Sequence, residues 1–431
     1  MYFTAWRGLA FGLAVLSWST GSLRAQQGQP REGLVMSLEE ARLMAAEANP
    51  ELLAARWQPV AIRGDLRAAR AFPFNPDASF ESRSPGDGMA SRFEAELGLE
   101  IELGGQRGLR SRAGEASLSA AQRRVDDAGR RILAEVSIAY QGLVAAEERV
   151  ALVEAINSLN AQLRSAVLTQ LAEGEVSELE ANLASIEAAR AQARFFEATS
   201  AREVAARELA QLLGRPPTLS IRTTGPLETT ARTDSGESLQ DYLDLALSNR
   251  PDLRALEHDV ERARQAERLV RREVLPNLRV AGLATREDPL TDPRLGIAFG
   301  VSLPLFNRNQ GEADRRRAEV AEVEQLRRAA ESRVRTEVEN AVLLLESARR
   351  ETALLEAELL EPIRENQRLL ETAYREGKID LANLLLLRNQ LLDAELSYWD
   401  AWQRRERART DLESATGAIL DGITITNGSD R

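Results

Sequence analysis

The chain is written twice. The run from Ser37-Leu38-Glu39-Glu40 to Asn49-Pro50-Glu51-Leu52 returns as Ser238-Leu239-Gln240-Asp241 to Arg250-Pro251-Asp252-Leu253, an offset of 201 residues. Further on, Phe72-Pro73 answers to Leu275-Pro276, Arg107 to Arg308, Glu135-Val136 to Glu337-Val338, and Glu173-Gly174-Glu175-Val176-Ser177 to Glu376-Gly377-Lys378-Ile379-Asp380. A period near 200 residues is too long for a solenoid, so the chain must fold as two halves of one plan. The first repeat spans 26–214 and the second 238–417. A connecting segment at 215–237, rich in Pro, Gly, Thr and Ser, lies between them, and a polar tail at 418–431 closes the chain.

Each half reads as an opening helix, two strands, a very long helix, a tight break and a return helix. The opening helix is expected from about Leu38 to Arg70, with Ser37 and Glu40 as a capping box; its counterpart starts at Ser238 with Asp241 in the equivalent place. The long helices are expected at about 108–172 and 311–376, roughly 65 residues or about 100 Å each. Tips at 173–177 and 377–380 lead into return helices at about 178–213 and 381–416. Opening and return helices together match the length of one long helix, so they are expected to stack end to end beside it. Val334, Val338, Ala341, Leu345, Ala348, Thr352, Leu355 and Leu359 alternate in steps of four and three; Ile132, Val136, Ala139, Leu143, Ala146, Val150 and Val153 repeat the pattern. Such a seam packs helices side by side, and Pro362 should kink the second long helix.

The strands are expected at about 77–83, 93–103, 278–285 and 295–303. Phe93 to Leu103 alternates without a lapse, with Glu94, Glu96, Glu100 and Glu102 on one face. Lengths of 9 to 11 residues suit a tilted bilayer crossing; a soluble sandwich is the alternative, but 100 Å helices offer no obvious surface to cover it. Four strands cannot close a barrel, and open edges are not tolerated in lipid, so several chains must contribute; three would supply twelve strands.

Composition narrows the chemistry. With 0 Cys and 1 His, the chain has no disulfide, thiolate nucleophile or Cys/His zinc site. His258 sits in a charged helical run without a second ligand type and receives no role. A net charge of -11, with Glu interleaved among the Arg runs, speaks against nucleic acid. Gly104-Gly105-Gln106-Arg107-Gly108 lacks the Lys-Ser/Thr of a phosphate loop and reads as a bend. No catalytic residue, cofactor or metal site is expected, and the chain is not expected to be an enzyme. Arg7, the apolar run Gly8 to Leu16 and the small, polar stretch ending at Ala25 read as a signal peptide, residues 1–25, cleaved after Ala25.

The duplicated openings, strand pairs, long helices and the tip Tyr374-Arg375-Glu376-Gly377 resemble the TolC-like outer membrane factor family over essentially the whole mature chain. Glu102-Leu103-Gly104-Gly105-Gln106-Arg107 and Pro304-Leu305-Phe306-Asn307-Arg308-Asn309-Gln310-Gly311 resemble the strand-to-helix junctions of its CzcC-like cation-efflux branch. The resemblance implies a mainly α fold with membrane β: a homotrimer whose 12-stranded barrel sits in outer-membrane lipid and continues as an α-helical tunnel into the periplasm. It also implies a periplasmic adaptor and an inner-membrane pump of the resistance-nodulation-division type as partners. Carried onto this chain, the tips for adaptor docking and gating are Leu171 to Ser177, with Gly174 and Val176, and Tyr374 to Asp380, with Gly377 and Ile379. Where family members often place aspartates six and nine residues after the tip glycine, this chain holds Asn383 and Leu386; Glu180, six after Gly174, is the alternative source of an acidic ring. Glu94, Glu96, Glu100 and Glu102 are expected to line the lumen, either selecting cations or simply wetting it. The expected function is passive export, of divalent heavy-metal cations or else of drugs and other organic solutes. A periplasmic coiled-coil scaffold is the rival from another class.

Overall fold

The computed structural model describes residues 34–83, 92–226, 238–287, 292–423 and 425; the expected signal peptide and the end of the tail lie outside them. The first repeat contains β1 (Leu34–Met36), α1 (Leu38–Ala48), α2 (Pro50–Ala55), α3 (Trp57–Arg70), β2 (Asp77–Arg83), β3 (Arg92–Ile101), α4 (Gln106–Glu173) and α5 (Glu178–Leu212). After β4 (Ile221–Thr223) the second contains α6 (Leu239–Asn249), α7 (Pro251–Arg272), β5 (Leu278–Arg286), β6 (Arg294–Val301), α8 (Gln310–Glu358), α9 (Leu360–Arg375) and α10 (Leu381–Thr416).

The single opening helix expected over 38–70 is three helices, and proline explains both breaks. Pro50 lacks an N–H and holds Asn49 extended, at φ -62° and ψ 124°. The Asn49 side chain then caps α2, accepting from the backbone N–H groups of Glu51 and Leu52 at 2.9 and 3.0 Å. Pro59 crowds the carbonyl four residues back, and α2 ends there, at Ala55. The same rule acts in the second long helix: α8 ends at Glu358, four residues before Pro362, and α9 restarts at Leu360. In the second opening segment Arg250-Pro251 makes one break instead of two.

These breaks are joints. Asn49 donates from its amide to the Leu212 carbonyl at 2.8 Å, tying the α1–α2 corner to the end of α5. Arg250, buried at the matching corner, donates to the Ala415 carbonyl near the end of α10 and pairs with Asp252 and Glu337. Opening and return helices thus meet end to end, and both lie along a long helix: α3 and α5 along α4, α7 and α10 along α8. Burial pushes the Asp252 carboxyl up, but hydrogen bonds and charge from Arg250 outweigh it and hold the group below the usual carboxylate range. Arg250→Ala should cost about 2–3 kcal/mol, below the value for a fully buried pair because Glu337 is partly exposed. The loss would appear as a lower melting temperature in detergent.

At 68 residues, α4 is about 100 Å long. Its seam residues Ile132, Val136, Leu143, Ala146 and Val153 are buried, and on α8 so are Val334, Val338, Ala341, Leu345, Ala348 and Thr352. The main apolar cluster joins the middle of α4 to α1, α2, α5 and Trp402 of α10; a second joins α6 to α8 and α10. Between the repeats, part of the expected connecting segment forms a strand: β4 pairs in parallel with β1, Leu34 opposite Ile221. The buried Tyr140 hydroxyl donates to the Met36 carbonyl at 3.1 Å, anchoring that sheet to α4.

The larger sheet has the order β2-β3-β5-β6, antiparallel throughout, so that β3–β5 is the join between the two repeats.

Candidate functional site

The four strands sort their side chains across the whole sheet. On one face, register sets Phe80 beside Ala95, and lines up Leu97, Gly282 and Ile297 in one row across β3, β5 and β6 and Leu99, Val280 and Phe299 in the next. Phe80, Leu97, Leu295, Ile297 and Phe299 are 61–83% exposed, an apolar surface far beyond scattered single residues. The opposite face is polar and crowded. Ala281 on it is only 2% exposed, and a Cβ added at Gly98 would lie 2.8 Å from an Asp77 carboxylate oxygen. A coiled-coil scaffold gives no reason for such a sheet; a water-filled barrel in lipid requires it.

The polar face is less acidic than the β3 alternation suggests. Arg279 of β5 donates to both Asp77 (2.8 Å) and Glu96 (2.9 Å). Glu100 accepts from the Asn277 amide at 2.7 Å, and Glu94 lies 3.8 Å from Arg92. Glu102 corrects the expected strand end. β3 stops at Ile101, and Glu102 begins the bend into α4, gripped by Arg110 through two hydrogen bonds of 2.6 and 2.8 Å. It fixes the strand-to-helix junction and is 11% exposed, so its charge is compensated in place. Across β2, β3, β5 and β6 five carboxylates (Asp77, Glu81, Glu94, Glu96, Glu100) share the face with four guanidiniums (Arg83, Arg92, Arg279, Arg294). Sequence reading missed Arg279, whose signal was one basic residue in a strand taken as a weak partner.

At the far ends of the long helices the two tips come together. Gly174 and Gly377 end α4 and α9 at φ 75° and 69°, a left-handed turn that glycine adopts without strain. Leu171, Val176, Tyr374 and Ile379 pack against Val167, Ala181, Ala184, Leu381, Leu384 and Leu385 in one apolar cluster that holds both tips. Ser177 and Glu180 form a capping box: Glu180 accepts from the Ser177 N–H at 2.8 Å and its own N–H donates to the Ser177 hydroxyl at 3.3 Å. Those hydrogen bonds hold the Glu180 carboxyl below the usual range, against a weaker upward push from burial and from Asp380. Asp380 caps α10 by accepting from the Asn383 N–H at 2.8 Å. Asn383 cannot return a carboxylate, so the second tip lacks the reciprocal half of the box. Leu386 is 56% exposed.

The sign of the Glu180 shift gives a pH window. Because its folded pKa is depressed, the cap is complete above the ordinary value of about 4.5 and is lost as pH falls through the lower folded value. Amide exchange over residues 178–181, corrected for intrinsic rates, should accelerate below pH 4.5; in Ser177→Ala it should be fast already at pH 7.

Among the described residues no group of three or more His, Cys, Asp or Glu is placed to hold a metal ion, and no helix is long and apolar enough to cross a membrane. Residues 242–418 match the outer membrane efflux protein family. Through the duplication, the first half of the chain repeats the plan of the matched region. The chain is 28% identical, over 312 residues that cover 70% of this chain and 73% of the relative, to the cobalt-zinc-cadmium resistance protein CzcC of Cupriavidus metallidurans. Its fold matches the CmeC outer membrane channel of Campylobacter jejuni with a TM-score of 0.76 at 17% identity, covering 88% of this chain and 85% of that one. The open MtrE outer membrane channel of Neisseria gonorrhoeae matches with a TM-score of 0.71 at 21% identity, over 88% of each chain. The fold class is therefore that of the TolC-like outer membrane channels.

Proposed function

We propose that three copies of this chain form the outer-membrane exit duct of a tripartite system, passing divalent heavy-metal cations outward. One observation carries the reading: a sheet with an exposed apolar face and a polar opposite face stands at one end of helices about 100 Å long, and a paired tip stands at the other. Three such sheets supply a twelve-stranded wall, lipid outside and water within. The helices extend the duct into the periplasm, where the tips centred on Gly174 and Gly377, with Leu171, Val176, Ser177, Tyr374, Ile379, Asp380 and Asn383, meet a periplasmic adaptor. An inner-membrane pump of the resistance-nodulation-division type supplies the energy and most of the choice of cargo. Similarity to the cobalt-zinc-cadmium resistance protein supports cations as that cargo. Carboxylates without His or Cys suit cations in transit better than tight binding.

A strain lacking the protein should become hypersensitive to zinc, cadmium, cobalt, nickel or copper, with unchanged tolerance of dyes, detergents and antibiotics, and the intact gene should restore growth. Sensitivity confined to organic compounds would keep the duct and reassign its cargo to drugs and other organic solutes. The face charge predicts conductance as well. With five carboxylates against four guanidiniums, substituting Glu94, Glu96 and Glu100 together by Gln should reverse a cation preference to an anion preference in planar bilayers. Arg279→Gln should strengthen the cation preference. Unchanged permeability ratios in both variants would mean that the face wets the duct without selecting.

A further inference from the structure

All four turns between strand and helix stand at one end of the larger sheet. Ile101, Leu278 and Val301 share a row across β3, β5 and β6, and β2 starts three residues short of it, with Asp77 registered with Gly98. Past that row the backbone leaves the sheet, but the apolar series continues. Leu103 and Leu303 are the next members of the alternations in β3 and β6, and both are exposed, as is Leu305. Phe306 is 93% exposed, and Phe72 and Leu275, ahead of β2 and β5, also face solvent. Each turn couples its apolar side chain to an arginine on the helix side: Arg70 to Phe72, Arg107 to Leu103, Arg272 to Leu275 and Arg308 to Phe306.

The charges at these turns do not balance. Arg110 takes Glu102 and Arg70 takes Glu115. Arg107 turns its Nε to the Arg70 carbonyl at 2.7 Å. Arg272 and Arg308 are exposed and have no acidic partner among the described residues, and of the described carboxylates at the turns Glu273 alone lacks a cation. A chain of net charge -11 therefore keeps an excess of guanidinium here.

We propose that this end of the sheet binds anionic phospholipid of the inner leaflet of the outer membrane, with the apolar side chains among the acyl chains and Arg272, Arg308 and Arg107 at the headgroup phosphates. This rests on the exit-duct reading above, which puts the helices in the periplasm and this end of the sheet at the inner leaflet. Lipid fits better than a protein partner because the exposed side chains prolong the apolar face of the sheet, and because an apolar residue beside a guanidinium matches the boundary between hydrocarbon and phosphate. A guanidinium holds phosphate oxygens by paired hydrogen bonds as well as by charge. Leu103 and Leu275 adjoin β3 and β5, the two central strands, so this surface stays open whatever covers the edges of the sheet.

The full chain, purified as a trimer in mild detergent, is titrated separately with phosphatidylglycerol and phosphatidylcholine of equal chain length, and bound lipid is counted by native mass spectrometry. Phosphatidylglycerol should bind more tightly, and Arg272→Gln with Arg308→Gln should cut that preference about tenfold while leaving phosphatidylcholine binding unchanged. Arg83→Gln with Arg92→Gln removes the same charge at the opposite end of the sheet and should keep the preference. A preference that survives the loss of Arg272 and Arg308, or that falls equally in both double variants, would overturn the site. Inorganic phosphate at the same concentration should not compete; if it does, the arginines form a free-phosphate site and the lipid reading is lost. Unsubstituted trimer that enters liposomes yet shows no preference for phosphatidylglycerol also overturns the site and leaves the duct standing. If the unsubstituted protein is monomeric and stays out of liposomes, the duct and the lipid site fall together.

Discussion

Ile297→Arg should abolish the trimeric outer-membrane barrel proposed above, while Ala298→Arg, one position further on, should leave it assembled. Ile297 is 73% exposed on the apolar face, and Ala298 lies on the opposite, polar face. A charge on the lipid face of a membrane barrel costs about 2–4 kcal/mol near the bilayer midplane. Three copies multiply that cost, which makes it comparable with the entire stability of an ordinary domain. An inward arginine at 298 remains in water and changes the fixed charge of the lumen instead, so its expected effect is a weaker cation preference. The measurement is the fraction of protein recovered as a heat-modifiable trimer from the outer membrane. Equal tolerance of both substitutions would sink the assignment of the faces.

Gly214→Ala should be the most damaging methyl group that can be added to the helical part. Gly214 follows α5 at φ +64°, and an added Cβ would lie 2.2 Å from the Ala48 carbonyl oxygen and 3.0 Å from its carbon. Both neighbours are backbone, so relief requires the end of α5 to move off the α1–α2 corner and strain the Asn49–Leu212 hydrogen bond. Positive φ alone costs about 1–2 kcal/mol; with the backbone clash, about 3 kcal/mol or more is expected. Gly174→Ala supplies the comparison, because φ there is +75° but nothing lies within 4 Å of the added atom. It should lose only the conformational part, locally, at the tip. Melting temperatures in detergent would separate the two, and equal losses would show that the close approach at Gly214 carries no weight.

The elements legible in the sequence are those in which residue type and period agree. β3 alternates over its whole length, the seams of α4 and α8 step by four and three, and the capping boxes at Ser37, Ser177 and Ser238 each start a helix where side-chain and backbone preferences coincide. Proline was legible in kind and harder to place, since its clash falls on the carbonyl four residues back: the break expected at Pro362 comes at Leu359, and Pro59 splits a helix expected to be whole. β1 and β4 carried no signal, because three residues are too few to display a period.

The duplication, the order of the elements, the long helices with their glycine tips, and a sheet with one apolar and one polar face all follow from residue order alone. All of these are local or periodic properties, set by each residue's own backbone preferences and by the spacing of its neighbours. Which charges survive on the polar face depends instead on the folding of distant segments onto one another. Arg279 reaches Asp77 and Glu96 from another strand, 202 and 183 residues away, and Arg110 folds back on Glu102 past the strand end. That folding alone also turned Asn49 and Arg250, members of a repeated motif, into joints on the ends of α5 and α10. A charge has no period, and its partner is chosen by proximity in space, which the order of residues along the chain does not express.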